Sequence, residues 1–254
     1  MEILTTEDVT IRFGGLEAVC KMNFNVKKGE IVGIIGPNGA GKTTFFNMLT
    51  GIYEPTEGLI KYREYVLNKL KPHKIAELGI SRTFQNIRLF NRMTVLENVM
   101  LAKHSRTKSN FIDAVFKTKR HNQTEKQVEE DAIKLLEITG IADFRYEYSN
   151  SLPYGFQRKL EIARSMATDP EIILLDEPAA GMNENETKEL SKFIREVRDM
   201  GYTIILIEHD VGLVMEICER IYVLNYGRLI AEGTPNSIKS NPAVVEAYLG
   251  KGSV

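Results

Sequence analysis

The chain has 254 residues with 43% hydrophobic and 26% charged side chains, the make-up of an ordinary globular protein with room for one large α/β domain or a core plus a smaller lobe, and not of a disordered one. A formal net charge of −1 supplies no field for nonspecific nucleic-acid binding, so no nucleic-acid partner is expected. Cys20 and Cys218 are the two cysteines and have no metal-ligand spacing, which suits a reducing compartment; no secretory signal is expected from MEILTTEDVTIRF, and no stretch approaches the roughly 20 apolar residues of a membrane span.

In chain order, the first thirty residues alternate apolar and polar positions. Ile3, Val9, Ile11 and Phe13 make one run and Ala18, Met22, Phe24 and Val26 another, broken by Gly14-Gly15, which predicts two antiparallel strands with one face buried. Ile31–Ile35 is a short apolar run that leads into a glycine-rich loop and a helix starting near Lys42. Residues 52–80 are mixed, with turn signals at Pro55-Thr56-Glu57-Gly58 and Lys71-Pro72.

Residues 94–140 carry helical spacing, one face marked by Val95, Val99 and Ala102, another by Val128, Ala132, Leu135, Leu136 and Ile138. The basic run between them, Lys117-Thr118-Lys119-Arg120-His121, reads as the solvated surface of a helical lobe, with an anionic-lipid or partner contact as the alternative. Ile172–Asp176 and Thr203–Ile207 are apolar runs with polar residues at their carboxyl ends. Such strands are covered on both faces, as in a parallel sheet, and in open α/β sheets ligands bind at those carboxyl ends. Ile221–Asn225 and Arg228–Glu232 flank Tyr226-Gly227, a hairpin pattern.

Gly36-Pro37-Asn38-Gly39-Ala40-Gly41-Lys42-Thr43, followed by Thr44, fits the phosphate loop G-x-x-x-x-G-K-[ST] between a strand and a helix. Its glycines allow the torsions that turn successive N–H groups toward an anion, and the helix N-terminus adds a positive dipole. In this pattern Lys42 reaches the β and γ phosphates of ATP and the Thr43 hydroxyl ligates Mg²⁺. Asp176 closes an apolar strand, where its carboxylate can hold the Mg²⁺ shell. Glu177 follows and projects differently, so that it can face an attacking water as general base.

With these residues in place the chain resembles the ABC ATPases along nearly its whole length. The resemblance implies that Gln85, in Arg82-Thr83-Phe84-Gln85-Asn86, contacts Mg²⁺ and water and relays contact with a transmembrane partner. It also implies that Phe13 stacks on adenine and that His209 hydrogen-bonds the γ-phosphate. Ala180-Gly181-Met182-Asn183 matches the family's D-loop, with Asn183 where Asp is usual. Ser151-Leu152-Pro153-Tyr154-Gly155-Phe156-Gln157-Arg158 aligns with the signature L-S-G-G-Q but departs from it. Pro153 replaces the serine, Tyr154 the first glycine and Phe156 the usual Gln or Glu, while Gly155, at a helix N-terminus, is retained to face the phosphate of an opposite subunit. Loss of the serine hydrogen bond costs roughly 0.5–1.5 kcal/mol.

L-P-Y-G-F-Q-R-K-L-E-I-A-R, then L-D-E-P-A-A-G-M-N, resembles one branch, the LivG-like ATPases of bacterial branched-chain amino acid importers, as do Ala231-Glu232-Gly233-Thr234-Pro235, Asn241-Pro242 and Val245–Leu249. The fold so implied is α/β: a P-loop ABC ATPase core, with a mixed sheet, helices and an N-terminal antiparallel β subdomain, over 1–92 and 165–254, plus an inserted α-helical subdomain over 93–164. The implied protein is a peripheral ATPase on the cytoplasmic face of the cell membrane. Its partners would be integral-membrane permease subunits, a second ATPase or its own copy as a dimer and, indirectly, an extracytoplasmic substrate-binding protein. A lipopolysaccharide-exporter motor and a urea or amide importer ATPase are the alternatives within the family. A soluble ABC protein acting on DNA or ribosomes would carry a coiled-coil insertion or fused cassettes, and a small-molecule kinase would leave Gln85, 151–158 and His209 without a role.

Overall fold

The structure, a computed structural model, describes residues 1–104 and 119–249. Its elements run β1 (Glu2–Phe13), β2 (Leu16–Lys27), β3 (Ile31–Ile35), α1 (Lys42–Leu49), β4 (Glu57–Tyr62), β5 (Tyr65–Val66), α2 (Pro72–Leu78), β6 (Ile80–Arg82), α3 (Val95–His104), α4 (Lys119–Ile138), α5 (Tyr154–Met166), β7 (Ile172–Asp176), α6 (Glu184–Asp199), β8 (Thr203–Ile207), α7 (Val211–Ile217), β9 (Arg220–Asn225), β10 (Arg228–Gly233), α8 (Pro235–Lys239) and α9 (Pro242–Leu249), with short 3₁₀ turns before α5. The chain divides into two compact units, one of residues 1–85 and 171–254, the other of residues 86–170.

In the first unit, one sheet has the order β2-β1-β4-β5 and is antiparallel; the other has the order β10-β9-β3-β8-β7-β6. β9, β3, β8, β7 and β6 run parallel, and β10 returns antiparallel on the edge through the Tyr226-Gly227 turn. Every residue of β3, β7 and β8 is buried, as expected of central strands covered on both faces. One core cluster joins the sheets through Phe24, Phe45, Phe46, Ile34, Leu174 and Tyr222.

The alternation read from β1 holds only in part. Leu4, Thr6 and Val9 pair with Val26, Phe24 and Met22, and directly paired residues share a face, so the inward parity changes from even to odd between Thr6 and Val9. The register shift there, with Asp8 at φ 48°, is a bulge, and one extra residue flips every side chain beyond it. Ile3 is buried on the face opposite Val9. Phe13 lies beyond the last buried position and is 46% exposed.

The second unit buries Val95, Leu96, Val99, Ala132, Leu136, Leu160 and Ala163 together. On α4 the buried stripe is Val128, Ala132 and Leu136, at spacing four. Ile138 sits two residues, about 200°, around the helix from Leu136 and is exposed, so it does not belong to the apolar face expected of it. Asn98 is fully buried and satisfied, accepting from Phe90 N and donating to the Thr94 and Phe90 carbonyls. Of the basic run, Lys117 and Thr118 lie outside the described residues, and Lys119–His121 open α4. Among the described residues no helix is long and apolar enough to cross a membrane.

Candidate functional site

The parallel strands of the first unit deliver their carboxyl ends to one edge, and β3 hands the chain directly into residues 36–41. Two glycines there are required by contact as well as torsion. A Cβ on Gly36 would lie 2.1 Å from the Leu224 carbonyl oxygen, and one on Gly41, at φ 100°, 2.5 Å from that of Ala18. Gly41 is also the N-cap of α1 and provides no capping side chain, so the first N–H groups of the helix are not closed off by one. The hairpin tip braces the loop from outside: Gly227 N donates to Ala40 O at 3.0 Å and Cys20 N to Gly227 O at 2.8 Å.

Lys42 is 5% exposed. Its Nζ donates to the carbonyls of Gly36 at 2.8 Å and Pro37 at 3.0 Å. Burial pushes its ammonium pKa down, and the Glu177 carboxylate opposes that shift. A phosphate brought to Lys42 would favour the charged ammonium and offset the solvation that burial removes.

A cleft of about 500 Å³ runs beside this loop, lined among others by Phe13, residues 38–44, Glu177, His209 and Tyr226. It brings together Phe13, Asn38, Gly39, Ala40, Gly41, Lys42, Thr43, Thr44, Glu177 and His209. Gly36 stands behind it as an acceptor for Lys42. Phe13 meets Tyr53 edge-to-face, with centroids 5.3 Å apart, a contact that orients its ring on the cleft wall.

Glu177 follows β7 in the left-handed region at φ 48°, a conformation costly for a residue with a side chain and found where structure over-determines it. Its amide donates to Ile207 O at 2.9 Å. The two carboxylate oxygens are taken by different partners: Gln85 Nε2 donates to Oε2 at 2.7 Å, and His209 Nε2 lies 2.8 Å from Oε1. A carboxylate only accepts, so His209 Nε2 carries the hydrogen.

Asp176 is 4% exposed, and Arg82 Nη2 donates to its Oδ2 at 2.6 Å. Arg82 has no function in the sequence reading; the available signal was an arginine closing a short strand immediately before Thr83-Phe84-Gln85. Thr43, Gln85 and Asp176, the expected Mg²⁺ ligands, present hydroxyl, amide and carboxylate oxygens, the hard donors this ion takes. Among the described residues no group of three or more His, Cys, Asp or Glu could hold a metal by itself. Mg²⁺ is held by one or two protein groups together with water and phosphate oxygens.

In the second unit, Gly155 is the second residue of α5, whose N-cap is Pro153. Tyr154 is 40% exposed, with its hydroxyl 3.1 Å from Nη2 of the fully buried Arg158. Asn183 caps α6, its side chain accepting from Asn185 N at 2.9 Å and Glu186 N at 3.1 Å while Glu186 bonds back to Asn183 N at 2.9 Å.

A family model described as "ABC transporter" matches residues 19–180, and one described as "Branched-chain amino acid ATP-binding cassette transporter" matches residues 228–253. The high-affinity branched-chain amino acid transport ATP-binding protein LivG of Salmonella typhimurium is 48% identical over 250 residues, 98% of each chain. The crystal structure of the ADP conformation of MJ1267, an ATP-binding cassette of an ABC transporter, superposes with a TM-score of 0.86 at 32% identity, covering 99% of this chain and 100% of that one. A dimeric post-hydrolysis state of the cassette MJ0796, bound to ADP and Pi, reaches 0.76 at 25% identity, covering 92% and 99%.

Proposed function

This chain belongs to the ABC transporter ATP-binding family, and from that premise we propose that it is the motor of a branched-chain amino acid importer, with its hydrolytic site in the cleft between Phe13 and His209. The observation that carries the site is the contact of Glu177 with His209, 2.8 Å apart on the wall of the cleft that also holds Lys42 and residues 38–44. The cargo is supported by the resemblance to LivG across 98% of the chain and by the match at residues 228–253.

ATP is the substrate. Its adenine stacks on Phe13, on the cleft wall. Its phosphates lie along the amides of residues 38–44, with Lys42 on the β and γ groups. Thr43, Gln85 and Asp176 would hold Mg²⁺, which neutralises charge building on the β and γ oxygens. Glu177 orients a water and accepts its proton as the oxygen attacks the γ-phosphorus in line. The bond from that phosphorus to the β–γ bridging oxygen breaks, and ADP leaves with its electron pair. Gln85, bonded to the other carboxylate oxygen, fixes the direction of the accepting lone pair. With ATP bound, the His209 Nε2–H passes from Glu177 Oε1 to the γ-phosphate, which frees that carboxylate oxygen for the water and stabilises the charge that develops on the phosphate.

Gly155 and the start of α5 serve the ATP of an opposing subunit, either a second copy or a homologous ATPase, so that two nucleotides hold the pair closed and hydrolysis releases it. Permease subunits place the protein on the cytoplasmic face of the membrane. Differential affinity of ATP and its products for the closed pair is what drives the transport cycle.

The deciding experiment deletes the gene and measures uptake of radiolabelled leucine, isoleucine and valine. Uptake should fall and return with the wild-type gene but not with Glu177→Gln. Undiminished uptake of all three, together with loss of another solute, would remove the cargo assignment while leaving the ATPase in place.

A further inference from the structure

Glu208 stands between two residues of the hydrolytic site and takes no part in the mechanism above. It follows β8 and is 3% exposed, and its carboxylate is bonded by backbone amides. Oε1 accepts from Ala179 N at 2.7 Å and Oε2 from His209 N at 3.1 Å. The amide of Asp210 also bonds this carboxylate, while burial and the nearby Glu177 push its pKa up. An acid kept in such a place needs all its acceptor positions used.

Those bonds complete a closed ring. From Glu177 the chain runs through Pro178 to Ala179, whose amide binds Glu208. Glu208 holds the amide of His209, and the His209 imidazole returns to the Glu177 carboxylate at 2.8 Å. Glu177 enters this ring in its left-handed conformation at φ 48°, a geometry that needs restraint from its surroundings. The segment after Glu177 turns at once, with Ala180 N bonded to Glu177 O and Met182 N to Ala179 O, and then meets the Asn183 cap of α6. Ala179 is thus the point where a short, hydrogen-bonded loop is tied to the strand end that carries His209.

We infer that Glu208 is a positioning residue: by gripping the amides of Ala179 and His209 it sets the imidazole against Glu177 and makes that contact follow the position of loop 178–183. The inference rests on Glu177 and His209 being the hydrolytic pair. A shift of the loop moves Ala179 N, the carboxylate moves with its donor, and the backbone of His209 moves with the carboxylate. Loop and imidazole are therefore coupled through the Glu208 side chain as well as through Glu177.

The test is Glu208→Gln, which preserves shape but turns one of the two acceptors into an –NH₂ facing an N–H. Three quantities are measured: Mg·ATP affinity by calorimetry, kcat, and the imidazole ¹⁵N signals of the four histidines, His73, His104, His121 and His209. Positioning predicts Mg·ATP affinity within about twofold of wild type, kcat at least tenfold lower, and a displaced His209 signal with the other three unmoved. An unmoved His209 signal, or affinity and kcat falling in parallel, would overturn it. If Glu208→Gln fails to fold, Glu208→Asp, which keeps the charge but withdraws the carboxylate by one methylene, must give the same pattern. A wild-type protein that binds no ATP would refute the ATPase reading, and the His209 signal would still report separately on the positioning.

Discussion

Arg82 and Asp176 form an ion pair 2.6 Å long in which the side chains are 8% and 5% exposed. The guanidinium also donates from Nη1 to Asn47 Oδ1 at 2.7 Å, on α1, and lies 5.6 and 5.5 Å from the ring centroids of Phe46 and Phe84. One side chain thereby fixes the carboxylate that ends β7 relative to the helix that begins with Lys42 and Thr43. Three residues later Gln85 binds Glu177, so a four-residue segment holds both members of the acidic pair.

Breaking the pair from the arginine side leaves a carboxylate buried without its counter-charge, a loss of about 3–5 kcal/mol for pairs of this kind. Arg82→Gln is expected to lower unfolding free energy in urea by that amount. Adding Asp176→Asn to the same chain removes the stranded charge, so the double variant should recover a large part of the loss. Additive losses would show that the two residues do not interact.

Glu177→Gln keeps shape and removes the base. Proton transfer of this type contributes about 10²–10⁴-fold to rate, so kcat should fall by that factor while Mg·ATP affinity stays near wild type. Stopped hydrolysis with retained binding is the expected pair of results. Near-normal turnover would take Glu177 out of its assigned role.

Lys42→Ala separates binding from chemistry in the other direction. The buried ammonium is the cation expected to meet the phosphates, and truncating one partner of such a charge pair costs about 2–5 kcal/mol, more than roughly thirtyfold in Kd. Calorimetric titration with ATP should show that loss. Unchanged affinity would refute the phosphate-loop geometry as the binding element.

The parts of this molecule that were legible in the sequence are those whose physics is local. Residues 36–43 carry their own torsional and electrostatic logic, and the runs ending at Asp176 and Glu208 announce buried parallel strands through the absence of alternation. What stayed hidden depends on long-range register. Arg82 reaches Asp176, 94 positions away, only because β6 pairs with β7 so that Arg82 stands opposite Leu174; no spacing in the sequence encodes that neighbour. The bulge near Asp8 was missed for a related reason. Apolar residues at both Ile3 and Leu4 make either parity readable, and the pairing with β2 decides between them.

Phe13→Ala tests the far end of the cleft. Stacking of a base on an aromatic ring is worth about 1–3 kcal/mol by alanine substitution, and Phe13 is already oriented by Tyr53. ATP should bind roughly five- to 150-fold more weakly, Phe13→Tyr should bind as wild type, and inorganic triphosphate should not distinguish the variants. Equal weakening of triphosphate would mean that the substitution disturbs the loop rather than the base contact.

Acid sensitivity of the fold should pass through Glu171, just ahead of β7. Arg63 grips it with Nε at 2.8 Å and Nη2 at 2.6 Å, and the Tyr62 hydroxyl donates at 2.7 Å. Arg63 first, and then Tyr62, hold its carboxyl down at about 2, below the ordinary 4.5. A carboxylate with a depressed folded-state pKa binds fewer protons folded than unfolded, so its contribution is complete above the unfolded value and fades as pH drops from about 4.5 toward 2. Glu171→Gln should therefore be less stable than wild type at pH 7, with a gap that narrows through that acid window. Denaturant unfolding of both chains across pH 7 to 3 measures the gap directly. A gap that stays constant would mean that the tie between Arg63, Tyr62 and residue 171 does not depend on the carboxylate's charge.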